Sequence, residues 1–154
     1  MDQIRNAINN GATGEQLAAL PIPATYRAAV IEKQDVDMFA GVASGDKDPR
    51  KSIKLREVPV PELAPDEALV AVMASSINFN TVWSAIFEPI STFGALTRLA
   101  RESSWAKRHD LPYHILGSDG AGVVLRVGTA VRNWKPGDRI TIHCNHVDDQ
   151  DPSA

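Results

Sequence analysis

The sequence predicts a mainly β domain with short helices, arranged as a small and mostly antiparallel barrel. Three observations indicate this fold. Runs of alternating apolar residues recur along the chain, turn-forming Pro, Gly and Asp residues separate them, and helical spacing is confined to short stretches. The strand-like runs are TYRAAVIEK, SIKLREVPV, EALVAVMASSIN, AGVVLRVG and GDRITIHC.

Size and composition limit the classes of protein to consider. The chain has 154 residues, of which 44% are hydrophobic, enough for one domain with a core. Its 16 Lys and Arg against 19 Asp and Glu leave no basic excess to predict a nucleic-acid or anionic lipid partner. The single cysteine, Cys144, excludes an internal disulfide. Since no apolar run is long enough for a membrane span or secretory signal, we expect a cytoplasmic protein.

The chain is predicted to have two parts. Residues 1–23 form a helical arm of two short helices, ended by Pro21 and Pro23, and residues 24–154 form the barrel domain. The final residues, HVDDQDPSA, have the composition of an exposed loop. We therefore expect the chain to stop within a domain. The apolar residues at helical spacing in the arm are Ile4, Ala7, Ile8, Leu17 and Leu20.

Two further helices are predicted in the middle of the chain. FNTVWSAIF has the length of one or two helical turns. STFGALTRLARESSWAKRH carries a helical apolar face, with Ser91 or Thr92 as its N-cap. Its apolar face consists of Phe93, Leu96, Leu99 and Ala100.

Three glycines, Gly117, Gly120 and Gly122, stand where a strand begins. Glycine at such a place permits a close approach of two backbones. Trp134 to Asp138 form a tight turn into the next strand. Taken alone, the glycines indicate packing of the barrel rather than a ligand site.

The order of these parts resembles the N-terminal GroES-like domain of medium-chain dehydrogenase/reductases, over about residues 27–143. Zinc-dependent members have a cysteine after the strand occupied here by ALVAVMASSI, and a histidine in a Gly-His-Glu triplet. Here those places hold Asn78 and the triplet Gly117-Ser118-Asp119. Because asparagine and serine are poor zinc ligands, the resemblance implies a branch without zinc or another metal.

Longer runs are similar to the crotonyl-CoA carboxylase/reductase family, also called enoyl-CoA carboxylases/reductases. They are MFAGVASGDKDPRKSI, ASSINFNTVWSAIFEPISTFG, AKRHDLPYHILGSDGAGVVLR and the phrase LPIPATYRA. The resemblance implies an oxidoreductase that transfers hydride from NADPH to the β-carbon of crotonyl-CoA or a longer enoyl-CoA. The resulting enolate attacks CO2 at its α-carbon and gives an alkylmalonyl-CoA.

The resemblance also assigns a role to Asn80. In the family, an asparagine after the long strand holds CO2, and Asn80 in Ile77-Asn78-Phe79-Asn80 matches it. Spacing alone favours another role, the N-cap of the short helix that follows. Asn78 is expected to be structural and to form hydrogen bonds near the vacated metal position.

The neighbouring aromatic residues have two possible roles. Phe79, Trp83 and Phe87, together with Ile86, either wall the acyl pocket or fill the core. Glu88, before Pro89, is expected to be an exposed loop carboxylate rather than a general acid.

Histidines and the cysteine give weak signals. His143 and His146 around Cys144 suggest a metal site, but zinc normally needs two separated pairs of ligands. His109 and His114 are expected to bond to backbone groups.

The chain also lacks parts that the family's reaction needs. It contains no GxGxxG motif and hence no phosphate cradle for a dinucleotide. We therefore expect its partners to be the acyl-CoA substrate and a nucleotide-binding domain in the remainder of the enzyme. The complete enzyme is expected to be a homodimer or homotetramer, and this part alone is expected to be inactive.

Two alternatives remain on sequence grounds. One is a zinc-free enoyl-CoA or quinone reductase domain that does not carboxylate. The other is a non-enzymatic barrel that serves as a binding or assembly module, which would leave SSINFNTVW and GSDGAGVV unexplained.

Overall fold

The computed structural model of the protein describes residues 2–102 and 107–142. Within these ranges the chain forms four α-helices, six strands and three short 3-10 turns. The helices are α1 (Asp2–Asn9), α2 (Gly14–Ala19), α3 (Phe79–Ala85) and α4 (Thr92–Glu102). The strands are β1 (Thr25–Glu32), β2 (Lys54–Pro59), β3 (Ala68–Ala74), β4 (Tyr113–Ile115), β5 (Gly120–Val127) and β6 (Arg139–Ile142).

The chain divides into two compact units. Of the described residues, the first unit contains 2–24, 59–76 and 119–142. The second contains 25–58, 77–102 and 107–118. Each unit has one three-stranded sheet, so each can bury an apolar face of its own.

The first unit is built on the sheet β3-β5-β6, in which both strand pairs are antiparallel. Strand β5 lies in the centre and pairs Gly122 with Val72 on one side and with Ile140 on the other. Helices α1 and α2 pack against this sheet, so the predicted N-terminal arm contributes to the core of the unit. The buried residues of this core are Ile4, Ile8, Leu17, Ala71, Val123 and Leu125.

Polar contacts fix α2 at both ends. At its start, the Thr13 hydroxyl accepts from the Gln16 backbone N–H, and the Gln16 side chain accepts from the Thr13 N–H. This reciprocal pair satisfies two backbone donors that the first helical turn leaves open. At its end, the Arg126 guanidinium donates to the carbonyl oxygens of Leu17 and Leu20. Strand β5 therefore holds the arm by a charged side chain as well as by apolar contact.

The second unit is built on the sheet β2-β1-β4. Strand β1 pairs antiparallel with β4, and Ile31 faces His114. Two groups of buried residues form the core of the second unit: Ile31, Phe39, Ala85, Ile86, Phe87 and Phe93 in one, and Ala28, Val30 and Val58 in the other.

Across both units, all five strands expected from alternation are present, and β4 is an additional short strand.

Helix α4 begins at Thr92, so Thr92 lies inside the helix instead of capping it, and Ser91 does not cap it with its side chain either. The carbonyl oxygen of Ser91 accepts from the N–H groups of Gly94 and Ala95. Its hydroxyl oxygen is buried and has no hydrogen-bond partner among the described residues. The helix is instead anchored by Phe93, which is only 2% exposed.

Gly94 in α4 offers a test of this helix. A Cβ added at Gly94 would meet no atom within 4 Å, and alanine is favoured over glycine within a helix by about 0.5–1 kcal/mol. We therefore expect Gly94→Ala to raise the free energy of unfolding by about that amount in urea titrations. Gly11→Ala is the control, because Gly11 also has open space but a φ of +73°. It should lose stability, and a loss at Gly94 as well would contradict the helical assignment.

Candidate functional site around the start of helix α3

The start of α3 brings together most of the residues to which the sequence assigned a function. Asn78 has an extended backbone and is the N-cap of the helix, since its side-chain oxygen accepts from the Thr81 N–H at 3.1 Å. The alternative prediction that Asn80 caps the helix is wrong. Asn80 is the second residue of α3, so its side chain is not placed to accept from the open N–H groups of the first turn as an N-cap does.

The other end of the Asn78 amide reaches Ser118. Asn78 Nδ2 donates to Ser118 Oγ at 2.8 Å, across 40 residues of sequence. The carbonyl oxygen of the amide faces a backbone N–H, so the network itself fixes which end is oxygen and which is nitrogen. Asn78 and Ser118 are the two residues that replace zinc ligands in the resemblance described above. The expectation that Asn78 is a structural, hydrogen-bonding residue is therefore met.

The next residue, Asp119, belongs to the first unit and has its own partner there. The backbone N–H of Ser76 donates to Asp119 Oδ1 at 3.1 Å, and the Ser76 hydroxyl donates to Oδ2. Ser76 follows β3 and Asp119 precedes β5. The acidic residue of the triplet thus ties together the ends of two neighbouring strands.

Asn80 stands apart from these contacts. It is exposed, and its side chain forms no hydrogen bond to any residue that the structure describes. A primary amide has two donors and one acceptor, and among the described residues none of them is used at Asn80. The role of Asn80 in holding CO2 stays a prediction.

The four predicted pocket residues separate into two classes. Phe79 and Trp83 are 79% and 49% exposed, and their ring centroids lie 6.4 Å apart. Ile86 and Phe87 are buried, and the Phe87 ring lies 6.4 Å from that of Phe39. Of the two roles that the sequence left open, the core role holds for Ile86 and Phe87, whereas Phe79 and Trp83 are exposed and do not fill the core.

Phe87 also has an unusual backbone. Its φ is 59°, in the left-handed region that glycine normally occupies at the end of a helix. The residue follows Ile86, the C-cap of α3, and the Glu88 N–H donates to the Trp83 carbonyl oxygen at 3.0 Å. Burial of the ring offsets the strain of this conformation, which costs about 1–3 kcal/mol. Phe87 therefore fixes the end of α3.

Glu88 is not the exposed loop carboxylate that the sequence predicts. Lys47 Nζ donates to Glu88 Oε1, and the two side chains are only 12% and 27% exposed. The partner lies 41 residues earlier in the chain, so local sequence gave no signal for it. The hydrogen bond from Lys47, followed by one from Ser44, lowers the pKa of Glu88.

This ion pair predicts a dependence of stability on pH. A carboxyl group whose pKa is lowered by folding adds stability above its unfolded pKa, and that stability is lost as pH falls through the folded pKa. We therefore expect Glu88→Gln to lower the urea midpoint at about pH 7 and to lower it less near about pH 3. Equal losses at both pH values would show that Glu88 acts through packing and not through its charge.

The histidines do not form a metal centre in the described part of the chain, where no group of three or more His, Cys, Asp or Glu side chains could hold an ion. Arg108 Nε lies 3.5 Å from His109 Nε2. The pKa of His114 is lowered, mainly by burial and then by His109. The prediction that His109 and His114 form hydrogen bonds to backbone groups stays a prediction. His143, Cys144 and His146 lie outside the described residues.

A groove of about 470 Å³ lies in the second unit, but the predicted site residues do not line it. Its lining residues are Lys33, Val36, Ser91, Phe93, Gly94, Thr97, Arg98 and Arg101. Lys33 Nζ, at its edge, is already bonded to Asp110 Oδ1 at 3.1 Å. In the described ranges, no helix is long and apolar enough to cross a membrane.

Comparison with known proteins first defines the class. Residues 64–154 match the alcohol dehydrogenase GroES-like domain, which is more than half of the chain. The chain therefore belongs to this family, within the medium-chain dehydrogenase/reductase superfamily. The fold class predicted from the sequence is confirmed.

Individual relatives are more specific. The chain is similar to crotonyl-CoA reductase from Streptomyces avermitilis, with 59% identity over 149 residues, 96% of this chain and 34% of that protein. Crotonyl-CoA reductase from Streptomyces collinus is 59% identical over 143 residues, 93% of this chain and 32% of that protein. The predicted resemblance to this family is confirmed.

A solved structure extends the comparison. The 2-octenoyl-CoA carboxylase reductase from a Streptomyces species, in complex with NADP and 2-octenoyl-CoA, is 59% identical to this chain, with a TM-score of 0.89. The match covers 97% of this chain and 33% of that one. The chain thus spans about a third of the length of the relatives that it matches.

Proposed function

We propose that this chain is the N-terminal part of an NADPH-dependent enoyl-CoA carboxylase/reductase. The complete enzyme would reduce crotonyl-CoA or a longer enoyl-CoA and add CO2 at the α-carbon to give an alkylmalonyl-CoA. The 59% identity over nearly the whole chain to a 2-octenoyl-CoA carboxylase reductase that was solved with NADP and 2-octenoyl-CoA supports the assignment. In the structure, the observation that carries it is the exposed amide of Asn80 at the start of α3, which has no hydrogen bond to any described residue.

The reaction leaves a narrow task for Asn80. NADPH, when bound, supplies a hydride to the β-carbon of the substrate, and the electron pair of the double bond becomes an enolate. The α-carbon then forms a bond either to CO2, which gives the carboxylate, or to a proton, which gives the saturated thioester. Because CO2 is small and neutral, a donor must orient it through its oxygens. The Asn80 amide can donate there without releasing a proton to the enolate.

Exposed aromatic residues beside Asn80 would contact the acyl chain. Phe79 and Trp83 flank Asn80 in sequence and have exposed rings. Apolar contact with these rings suits an enoyl chain, which has no polar group beyond the thioester. Phe87, which is buried, would support this surface by holding the end of α3.

The described residues do not fit a dinucleotide. Strand pairs with a defined register are antiparallel here, β1 with β4, β3 with β5 and β5 with β6. A dinucleotide site needs parallel strands and a glycine-rich phosphate loop. We therefore assign NADPH to a nucleotide-binding domain in the remainder of a cytoplasmic homodimer or homotetramer, and derive no role for this part in holding it.

Zinc is not part of the proposal because of the donors that are present. The Asn78 amide and the Ser118 hydroxyl bond to each other. Structural and catalytic zinc sites use thiolate, imidazole or carboxylate ligands. An amide and a hydroxyl that satisfy one another therefore replace the ligand pair of zinc-dependent members.

Simple reduction without carboxylation is the second candidate. It is favoured by the names of the two curated relatives, which are crotonyl-CoA reductases. The two candidates share the hydride step and differ only in what the enolate receives. No observation favours the non-enzymatic barrel.

A chimera distinguishes these candidates. The chain would replace the matching third of the Streptomyces 2-octenoyl-CoA carboxylase reductase, and folding would be checked by its circular dichroism and assembly state. NADPH oxidation is then followed with crotonyl-CoA and 2-octenoyl-CoA, with and without bicarbonate. The acyl products are identified and quantified by mass spectrometry. A dicarboxylic product that requires bicarbonate supports the proposal. A folded chimera that makes only the saturated thioester supports the second candidate, and a folded but inactive chimera contradicts both.

A further inference from the structure

The hydrogen bond between Asn78 and Ser118 does more than satisfy two polar groups. Asn78 uses both ends of its amide at once, accepting from the Thr81 N–H at 3.1 Å and donating to Ser118 Oγ at 2.8 Å. The first contact holds the helix to its cap, and the second holds the cap to a distant segment. A shorter capping residue such as serine would provide only the first.

The segment on the Ser118 side is itself fixed. It follows β4, which pairs with β1, and the Leu116 N–H donates to the Ala29 carbonyl oxygen at 2.9 Å. Gly117, immediately before Ser118, has a φ of +120°, a backbone conformation that residues with a Cβ rarely adopt. Ser118 is therefore presented from the edge of a sheet by a backbone turn that only glycine makes easily.

Asn80 is only two residues from Asn78, so any rotation at the cap is passed directly to it. Helix α3 is short, Phe79–Ala85, and a helix of this length has little rigidity of its own. Its far end is fixed by buried Ile86 and Phe87. Its near end is fixed by the cap and by the bond to Ser118.

We infer that Ser118 is a positioning residue for Asn80, acting through Asn78. On this view, which rests on the proposed function, the Asn78–Ser118 bond sets how often the enolate meets an oriented CO2 instead of a proton. Carboxylation demands accurate placement because CO2 offers no charge to hold it, and small displacements of an orienting group reduce rates strongly. Reduction without carboxylation does not require the Asn80 amide to be held in one orientation.

Variants separate the bond to Ser118 from the cap. Ser118→Ala removes the bond and leaves the cap, and Ser118→Thr restores a hydroxyl. Asn78→Asp keeps both contacts, because a carboxylate can accept from the Thr81 N–H and from the Ser118 hydroxyl. Thr97→Val is the matched control in the same unit, since it removes a hydroxyl that bonds to Asp110.

The test uses the chimera described above and two measurements. In the first, the ratio of carboxylated to saturated product and the KM for CO2 are determined, with carbonic anhydrase present. We expect Ser118→Ala to lower the ratio and raise the KM, each by about fivefold, as for the loss of one hydrogen bond. The kcat for NADPH oxidation should change less than the KM. Ser118→Thr and Asn78→Asp should recover most of the ratio, and Thr97→Val should leave it unchanged.

The second measurement is independent of carboxylation. Hydrogen exchange by mass spectrometry is followed in peptides that cover residues 79–85, where Ser118→Ala should increase exchange and Thr97→Val should not. An unchanged product ratio and KM in Ser118→Ala would overturn the inference, as would equal losses in Ser118→Thr. If the unmodified chimera makes no carboxylated product, the proposed function fails. In that case increased exchange in Ser118→Ala would support the structural link alone, and unchanged exchange would overturn that as well.

Discussion

Asn80→Ala in the chimera is expected to lower the carboxylated product at least about tenfold relative to the saturated product. The side chain of Asn80 is exposed and forms no hydrogen bond to any described residue, so its loss should not disturb the fold. A donor lost from a site that depends on hydrogen bonds costs on the order of 1.4 kcal/mol or more, which is a factor of ten. The measurement is the ratio of the two acyl products at saturating enoyl-CoA and bicarbonate.

Two further variants sharpen this result. Asn80→Asp should also divert product to the saturated thioester, because a carboxylate has no N–H to donate and would repel the developing negative charge. Asn133→Ala is the control, since Asn133 is an exposed asparagine in a loop of the first unit. If Asn80→Ala carboxylates as well as the unmodified chimera does, then Asn80 does not hold CO2.

Gly122→Ala is expected to destabilise the protein by about 1–3 kcal/mol or more. A Cβ at Gly122 would lie 2.3 Å from the Ala71 carbonyl oxygen and 2.8 Å from a methyl carbon of Val70. Backbone of a paired strand cannot rotate away as a flexible side chain can, so β3 and β5 would have to separate. Both strands carry core residues, Ala71 and Val123 among them. The free energy of unfolding in urea measures the effect.

A matched glycine distinguishes this clash from a general effect of adding a methyl group. A Cβ at Gly45 would meet nothing within 4 Å, and Gly45 has an ordinary φ. Gly45→Ala should therefore leave the unfolding free energy within about 0.5 kcal/mol of its original value. A similar small change for Gly122→Ala would mean that the two strands tolerate a wider spacing.

The site depends on donor chemistry rather than on strong charge. Asn78, Ser118, Thr81 and Asn80 are all neutral, and the amides among them neither gain nor lose a proton near neutral pH. Ion pairs of the second unit lie elsewhere, as with Lys47 and Glu88. Under the proposed function, such a neutral arrangement would suit an uncharged ligand such as CO2 and would place no acidic group among these four residues to protonate an enolate.

Sequence patterns alone predicted the strands well, because alternation between apolar and polar residues reports directly which face of a strand is buried. Strands β1, β2, β3 and β6 lie within runs identified in this way, and β5 begins one residue before its run. Strand β4 was not predicted, since it spans only Tyr113–Ile115, and three residues are too few to show a period. Its existence depends on pairing with β1, a contact distant in sequence.

Within the site, spacing alone favoured Asn80 as the cap of α3, whereas the structure has Asn78 there. Asn78 and Asn80 lie two residues apart and both are good caps, so a local pattern could not decide which one begins α3. The extended backbone of Asn78, with φ of −125° and ψ of −179°, identifies it as the N-cap of α3. The amide of Asn80, by contrast, is exposed and has no hydrogen bond within the described part of the chain.

The sequence by itself determined the mainly β fold class and the family resemblance, which in turn implies that Asn78 and Ser118 stand where zinc-dependent relatives have ligands, because these depend on residue type and on local order. Tertiary structure decided what those residues do. It brought Asn78 and Ser118 to 2.8 Å across 40 residues of chain, paired Glu88 with Lys47, and packed the N-terminal arm into the core of the first unit. Each of these contacts joins segments far apart in sequence, and a period or motif read along the chain contains no information about which distant segments meet.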